Sequence, residues 1–114
     1  MKIEFPYPNM KLSANSKNVT HWSKTIALKN KVFYDAYYLT LESIKERGIK
    51  GNIELRITFT QSDKVKRDLD GCLTASKPIL DAMASAMKVN DYQFNPITLV
   101  RSFDTRSYMT VEIL

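Results

Sequence analysis

Residues 52–61 alternate without a break: Ile53, Leu55, Ile57 and Phe59 fall in one phase, Glu54, Arg56, Thr58 and Thr60 in the other. A period of two over this length describes a β-strand with one buried and one wet face. Some other layer of the chain must therefore cover the apolar side. The flanking stretches carry the helical period. From about Trp22 to Arg47, Ile26, Phe33, Tyr37, Thr40 and Ile44 recur close to one face, with Gly48 as the C-terminal stop. A second helix opens at Asp70 or Gly71 and runs to about Lys88, burying Leu73, Leu80, Met83 and Met87. Pro78 interrupts it, so either the helix kinks there or regular helix begins near Ser76.

The remaining segments are extended or irregular. Residues 2–7 read as a short strand ending at Pro6 and Pro8, and 9–21 as a long polar loop. Two final strands, 97–103 (Ile97, Leu99, Phe103) and 108–114 (Met109, Val111, Ile113), are joined by Asp104-Thr105-Arg106-Ser107, read as a hairpin turn. The predicted fold is α+β in the order β-α-β-α-β-β, with two helices on a small mixed or antiparallel sheet. At 114 residues, 1–114 forms one domain long enough to bury its own core.

Composition narrows the setting. No apolar run approaches the ~20 residues of a membrane span, and Met1-Lys2-Ile3-Glu4-Phe5 lacks the apolar stretch of a secretory signal. Cys72 is the only cysteine, which fits a reducing, cytoplasmic interior, and it reads as a small buried or half-buried thiol. A net charge of +5 favours contact with a polyanion.

The densest chemistry lies in Lys64-Val65-Lys66-Arg67-Asp68-Leu69-Asp70. Three cations suit a nucleic-acid backbone, and one or two carboxylates with waters and a substrate phosphate suit Mg²⁺. In extended backbone the side chains of Asp68 and Asp70 share a face. The structural alternative is that Asp70 caps the second helix and Asp68 is a solvated loop acid. Lys77, about two helical turns after Asp70, and Asp81, one turn further, are either a surface ion pair or a phosphate-binding lysine with an orienting acid. Asn90-Asp91 is a polar turn that can return a third acid to the first two. His21 and Trp22, with Lys17 and Lys24, either stack on a base or pack at a helix start, Trp22 being read as core. One His and one Cys leave no zinc site or His-based triad in view, and the three glycines form no phosphate loop.

With these residues laid out, nearly the whole chain resembles the RusA family of Holliday junction resolvases, particularly its phage and prophage members. The resemblance is carried by Arg67-Asp68-Leu69-Asp70-Gly71, Lys77-Pro78-Ile79-Leu80-Asp81-Ala82-Met83 and Asn90-Asp91-Tyr92-Gln93-Phe94. Pro6-Tyr7-Pro8 and Leu12-Ser13-Ala14-Asn15 through His21-Trp22 add to it. It implies a homodimeric, Mg²⁺-dependent endonuclease that cuts a four-way DNA junction by paired symmetric nicks, in the cytoplasm of a bacterial host. Asp68, Asp70 and Asp91 would be the metal-binding catalytic acids, Lys77 the lysine near the scissile phosphate, and Asp81 its supporting acid. Lys64, Lys66, Arg67, Lys11, Lys17, Lys24 and His21 would hold DNA. Gly71 stands where the family has Asn, Asn90 where it has Asp, and the interval from Asp70 to Lys77 exceeds that of the shortest members. Two other readings compete: a nucleic-acid-binding module that does not cut, and a metal nuclease acting on other branched DNA.

Overall fold

The alternating strand forms the middle of a four-stranded mixed sheet. The computed structural model describes residues 1–13 and 22–114, with the backbone alone for Trp22 and Ser23. Among them the elements are β1 (Lys2–Pro6), α1 (Trp22–Ser43), β2 (Ile53–Gln61), α2 (Leu69–Ala75), α3 (Lys77–Met87), β3 (Phe94–Phe103) and β4 (Tyr108–Ile113). The fold is α+β, with one helix more than the sequence suggests. The strand order is β1-β4-β2-β3. Ile3 and Phe5 lie beside Val111 and Met109, which lie in turn beside Ile57 and Phe59. These six side chains are at most 2% exposed and, with Leu55, form the sheet's half of the core. Ala36 of α1 and Ile79, Met83 and Met87 of α3 complete it. Each fully buried side chain of this size contributes roughly 1.5–3 kcal/mol. The opposite sheet face is largely polar, with Arg56 paired across strands to Glu112 (3.9 Å).

The predicted hairpin over 104–107 does not form. β3 pairs with β2 in parallel and β4 pairs with β2 antiparallel, so β2 separates them. Parallel neighbours need a crossover, and α2 and α3 supply it. The 104–107 link arches over the end of β2 instead. There Asp104 N–H donates to the Gln61 carbonyl (3.2 Å), and Ser62 N–H donates to the Ser107 hydroxyl (3.0 Å).

The choice left open at Pro78 resolves as a restart. α2 stops at Ala75, Ser76 donates its hydroxyl to the Cys72 carbonyl (2.6 Å), and Pro78 sits in the first turn of α3. A missing N–H costs nothing there, because first-turn N–H groups have no partner within the helix. α1 ends at Ser43 rather than Arg47. Thr40 and Ser43 turn their hydroxyls back onto the carbonyls of Ala36 and Leu39 (2.8 and 2.9 Å), a local alternative that weakens helix continuation. Gly48 is not that helix's cap. It occupies the left-handed region (φ +71°) in the following link and ties it to α3 through Gly48 N–H to the Met87 carbonyl (2.8 Å).

Three further expectations change. Ile97 and Phe103 do lie on the helix-covered side of the sheet, opposite Leu55 and Gln61. β3 is an edge strand, however, and both are exposed, while Leu99 is half-buried. Thr60, read as outward and wet, is buried on the central strand between Ser102 and Tyr108. The stretch read as a loop from residue 9 opens with a 3-10 turn over Met10–Leu12, where the Asn9 side chain accepts Lys11 N–H (3.0 Å). Lys17 and His21 lie outside the described residues, as does the side chain of Trp22. Cys72 is buried, as expected. No helix of the described residues is long and apolar enough to cross a membrane.

Candidate functional site

Gln61 is the origin of the site. It is the last residue of β2, falls in the buried phase of the strand, and is 2% exposed. A buried amide must find partners, and its Nε2 donates to the Asp63 carbonyl (3.0 Å), Asp63 Oδ1 (3.1 Å) and the Val65 carbonyl (2.8 Å). The chain between β2 and α2 is thereby folded over the end of the strand. Asp63 in turn holds Arg67 with both carboxylate oxygens (2.9 and 3.1 Å). Arg101, from the neighbouring strand β3, donates to the Arg67 carbonyl. The Arg67 guanidinium keeps the Asp63 carboxyl below the usual carboxylate range, and Asp63 raises Arg67 in return.

This network displays Lys64, Val65 and Lys66 outward. Together with Arg67, Asp68, Arg101 and Phe103 they line a groove of about 530 Å³. Lys64 and Lys66 are exposed and make no ion pair among the described residues, whereas Arg67 is half-buried and committed to Asp63. Lys11 and Lys24 are exposed too.

Arg67 also covers the ring of Tyr7 at 5.4 Å, and the Tyr7 hydroxyl lies 3.5 Å from the Cys72 sulfur. Burial, with the Cys72 contact behind it, pushes the Tyr7 phenol up to about 12 from its ordinary 10.0. Above pH 10 the unfolded chain therefore binds fewer protons than the native one, and stability falls as pH rises towards 12. Tyr7→Phe is expected to flatten that decline. The check is the urea midpoint between pH 9 and 11, and an unchanged slope in the variant would show Tyr7 is not its source.

Asp68 is the N-cap position of α2, but its side chain makes no capping hydrogen bond. Asp70, in the first turn, accepts the N–H of Gly71 (2.9 Å). Both are exposed. The third acid is built separately. Asn90 and Gln93 form a reciprocal cap around a 3-10 turn over Asp91–Gln93, and the Gln93 amide donates to the carbonyls of Ile49 and Gly51 (2.9 Å each). That anchor places Asp91 beside Lys77. The ammonium donates to Asp91 (3.1 Å) and to Asp81 (3.3 Å), and Asp91 is the main reason it titrates above the usual lysine value. Lys77 thus joins two open grooves. One, of about 320 Å³, lies against Lys29, Asn30 and Phe33 of α1. The other, of about 480 Å³, holds Asp91, Leu73 and Ile97.

Asp81, Lys77 and Asp91 are therefore brought together, while Asp68 and Asp70 stand at the head of α2. Among the described residues no group of three or more His, Cys, Asp or Glu is gathered closely enough to hold a metal ion. Two exposed carboxylates with oxygens to spare still fit a hydrated Mg²⁺, which needs only one or two of them. The face of β3 towards the helices links the regions, with Ile97 in the Asp91 groove and Arg101 and Phe103 in the Asp68 groove.

Comparison with protein-family models and with curated proteins returns no match for this chain. The RusA-like reading rests on the chain's own residues. Sequence reasoning passed over Gln61, Asp63, Arg101 and Phe103. Gln61 carried a usable signal, being a polar residue in the buried phase of an otherwise apolar strand face.

Proposed function

We propose that the protein is a Mg²⁺-dependent endonuclease acting on branched DNA, a four-way junction in particular, and that it works as a homodimer. The observation that carries this reading is the groove in which Lys64, Lys66, Arg67 and Arg101 line the approach to Asp68. Cations there attract and position a phosphodiester backbone, and Asp68, the one acid in the lining, would meet the phosphate. Asp68 and Asp70 are the residues that would hold a hydrated Mg²⁺; Asp91, expected from the sequence to join them, is instead engaged by Lys77. When bound, Mg²⁺ supplies a water of lowered pKa and neutralises charge on the scissile phosphate. Lys77 has three N–H donors, two of them engaged by Asp81 and Asp91. The third is left for a phosphate oxygen, with Asp81 and Asp91 keeping the ammonium aimed. The RusA-like order of these residues supports junctions as the substrate. Paired cuts need two sites, and one per chain makes a two-fold dimer sufficient.

The decisive assay incubates the protein with a synthetic four-way junction, a fork and a linear duplex, each with Mg²⁺ and with EDTA. Paired nicks in the junction that require Mg²⁺ are expected. Binding without cleavage on all three substrates would favour a non-catalytic module, and preferential cutting of the fork would move the substrate to other branched DNA.

A further inference from the structure

Phe103 and Val65 are out of place by polarity. They are 63% and 54% exposed, yet both line a groove that also carries Lys64, Lys66, Arg67 and Arg101. Phe103 ends the edge strand β3, and Val65 stands between Lys64 and Lys66, whose charges no described acid pairs. Arg101 spends one donor on the Arg67 backbone carbonyl, which leaves its charge uncancelled. Asp68 is the one acid in the lining. A groove of this charge calls for an anion, and its apolar members call for something flat beside that anion. Phosphate alone would leave the Phe103 ring without a partner. Paired DNA keeps its base faces stacked away inside the helix. An acidic peptide brings carboxylates but no regular supply of planar rings. An unpaired nucleotide brings both, and base-on-aromatic stacking in a positive groove is how single strands are commonly held.

We propose that this groove binds an unstacked nucleotide of DNA, with the base on Phe103 and its flanking phosphates on Lys64 and Lys66. The inference rests on the nuclease reading for the identity of the polyanion and deepens it: the protein would recognise a branch by taking hold of a base drawn out at the branch point, where stacking is interrupted. The groove is ready-made for this, because Gln61, Asp63 and Arg101 already fix the backbone on which Lys64 to Arg67 stand. Its volume, about 530 Å³, falls within the range of about 300–1,000 Å³ typical of small-molecule sites.

The test measures binding in EDTA, so that cleavage plays no part. Fluorescence anisotropy with labelled oligo-dT and with a blunt duplex of equal length is compared for the wild type, Phe103→Ala and Phe103→Tyr. The wild type is expected to prefer the single strand. Phe103→Ala is expected to weaken that binding about tenfold while changing duplex binding less than about twofold, and Phe103→Tyr to restore it. Phe103 is exposed, so its loss should leave the thermal midpoint in place, and this is measured alongside. An equal loss on both DNAs, no loss on either, or competition by polyglutamate as strong as by oligo-dT would overturn the proposal. Junction cleavage is scored separately. A protein that nicks the junction but shows no Phe103 effect refutes the nucleotide site alone. One that shows the effect but never nicks refutes the nuclease alone.

Discussion

Asp70→Asn is expected to bind a four-way junction as the wild type does and to lose Mg²⁺-dependent nicking by at least about 100-fold, the scale seen when even the supports of a metal ligand are removed. Asp70 is suited to separate binding from chemistry. Its carboxylate is exposed in the first turn of α2, and its one hydrogen bond is from the N–H of the next residue. An amide oxygen can accept that bond as well as a carboxylate can, so the local fold should survive. What the substitution removes is a negative charge, and with it a hard ligand for Mg²⁺. The reading by which Asp70 is merely a helix-start residue predicts otherwise: little change in nicking, and a loss of stability of about 0.3–1 kcal/mol as a favourable charge leaves the helix N-terminus. Nicking rates under saturating Mg²⁺, with junction affinity in EDTA and the thermal midpoint, distinguish the two. Equal loss of binding and nicking would show that the substitution disturbs the DNA-binding surface, and would overturn the assignment of Asp70 as a residue of the chemical step alone.

Local pattern and spatial neighbourhood were unequally legible. Ile53 to Phe59 announced their strand and its buried face, because alternation is a property of consecutive residues. Nothing in that pattern said that β3 would run parallel beside β2, or that β4 would pair on β2's other edge. The 104–107 turn looked like a hairpin for the same reason, since turn chemistry specifies a reversal but not the strand it returns to. Asp68 and Asp70 were found by type and spacing. Their relation to Asp91 was not, since it depends on the break at Ser76 and on the Gln93 anchor to Ile49 and Gly51. A continuous helix would carry Lys77 round by a fixed angle from Asp70; a helix that stops and restarts need not. Arg101 and Phe103 escaped because an alternating apolar strand gives no sign of where the covering layer ends. Only the register of β3 on β2, with Arg101 beside Phe59 and Phe103 beside Gln61, puts them at the mouth of the basic loop.

Gln61→Leu is expected to destabilise the protein by about 1–3 kcal/mol, the cost of leaving buried polar groups without partners, and to weaken DNA binding although Gln61 is too buried to touch DNA. A leucine fills similar space but cannot donate to the carbonyls of Asp63 and Val65, which face an amide donor in the native fold. Asp63 also loses one of the contacts that aim it at Arg67. The segment carrying Lys64 and Lys66 would then lose its fixed form, and ordering it anew on DNA would cost affinity. Gln61→Glu is the harsher variant, since it replaces the donor by a buried carboxylate set against Asp63 and two carbonyls; it should lose more stability than the leucine. Urea unfolding gives the stability change, and hydrogen exchange across residues 62–67 reports whether the loop is loosened. If Gln61→Leu unfolds at the wild-type midpoint with unaltered exchange in that loop, the buried amide does not organise the groove, and the positions of Lys64 and Lys66 need another cause.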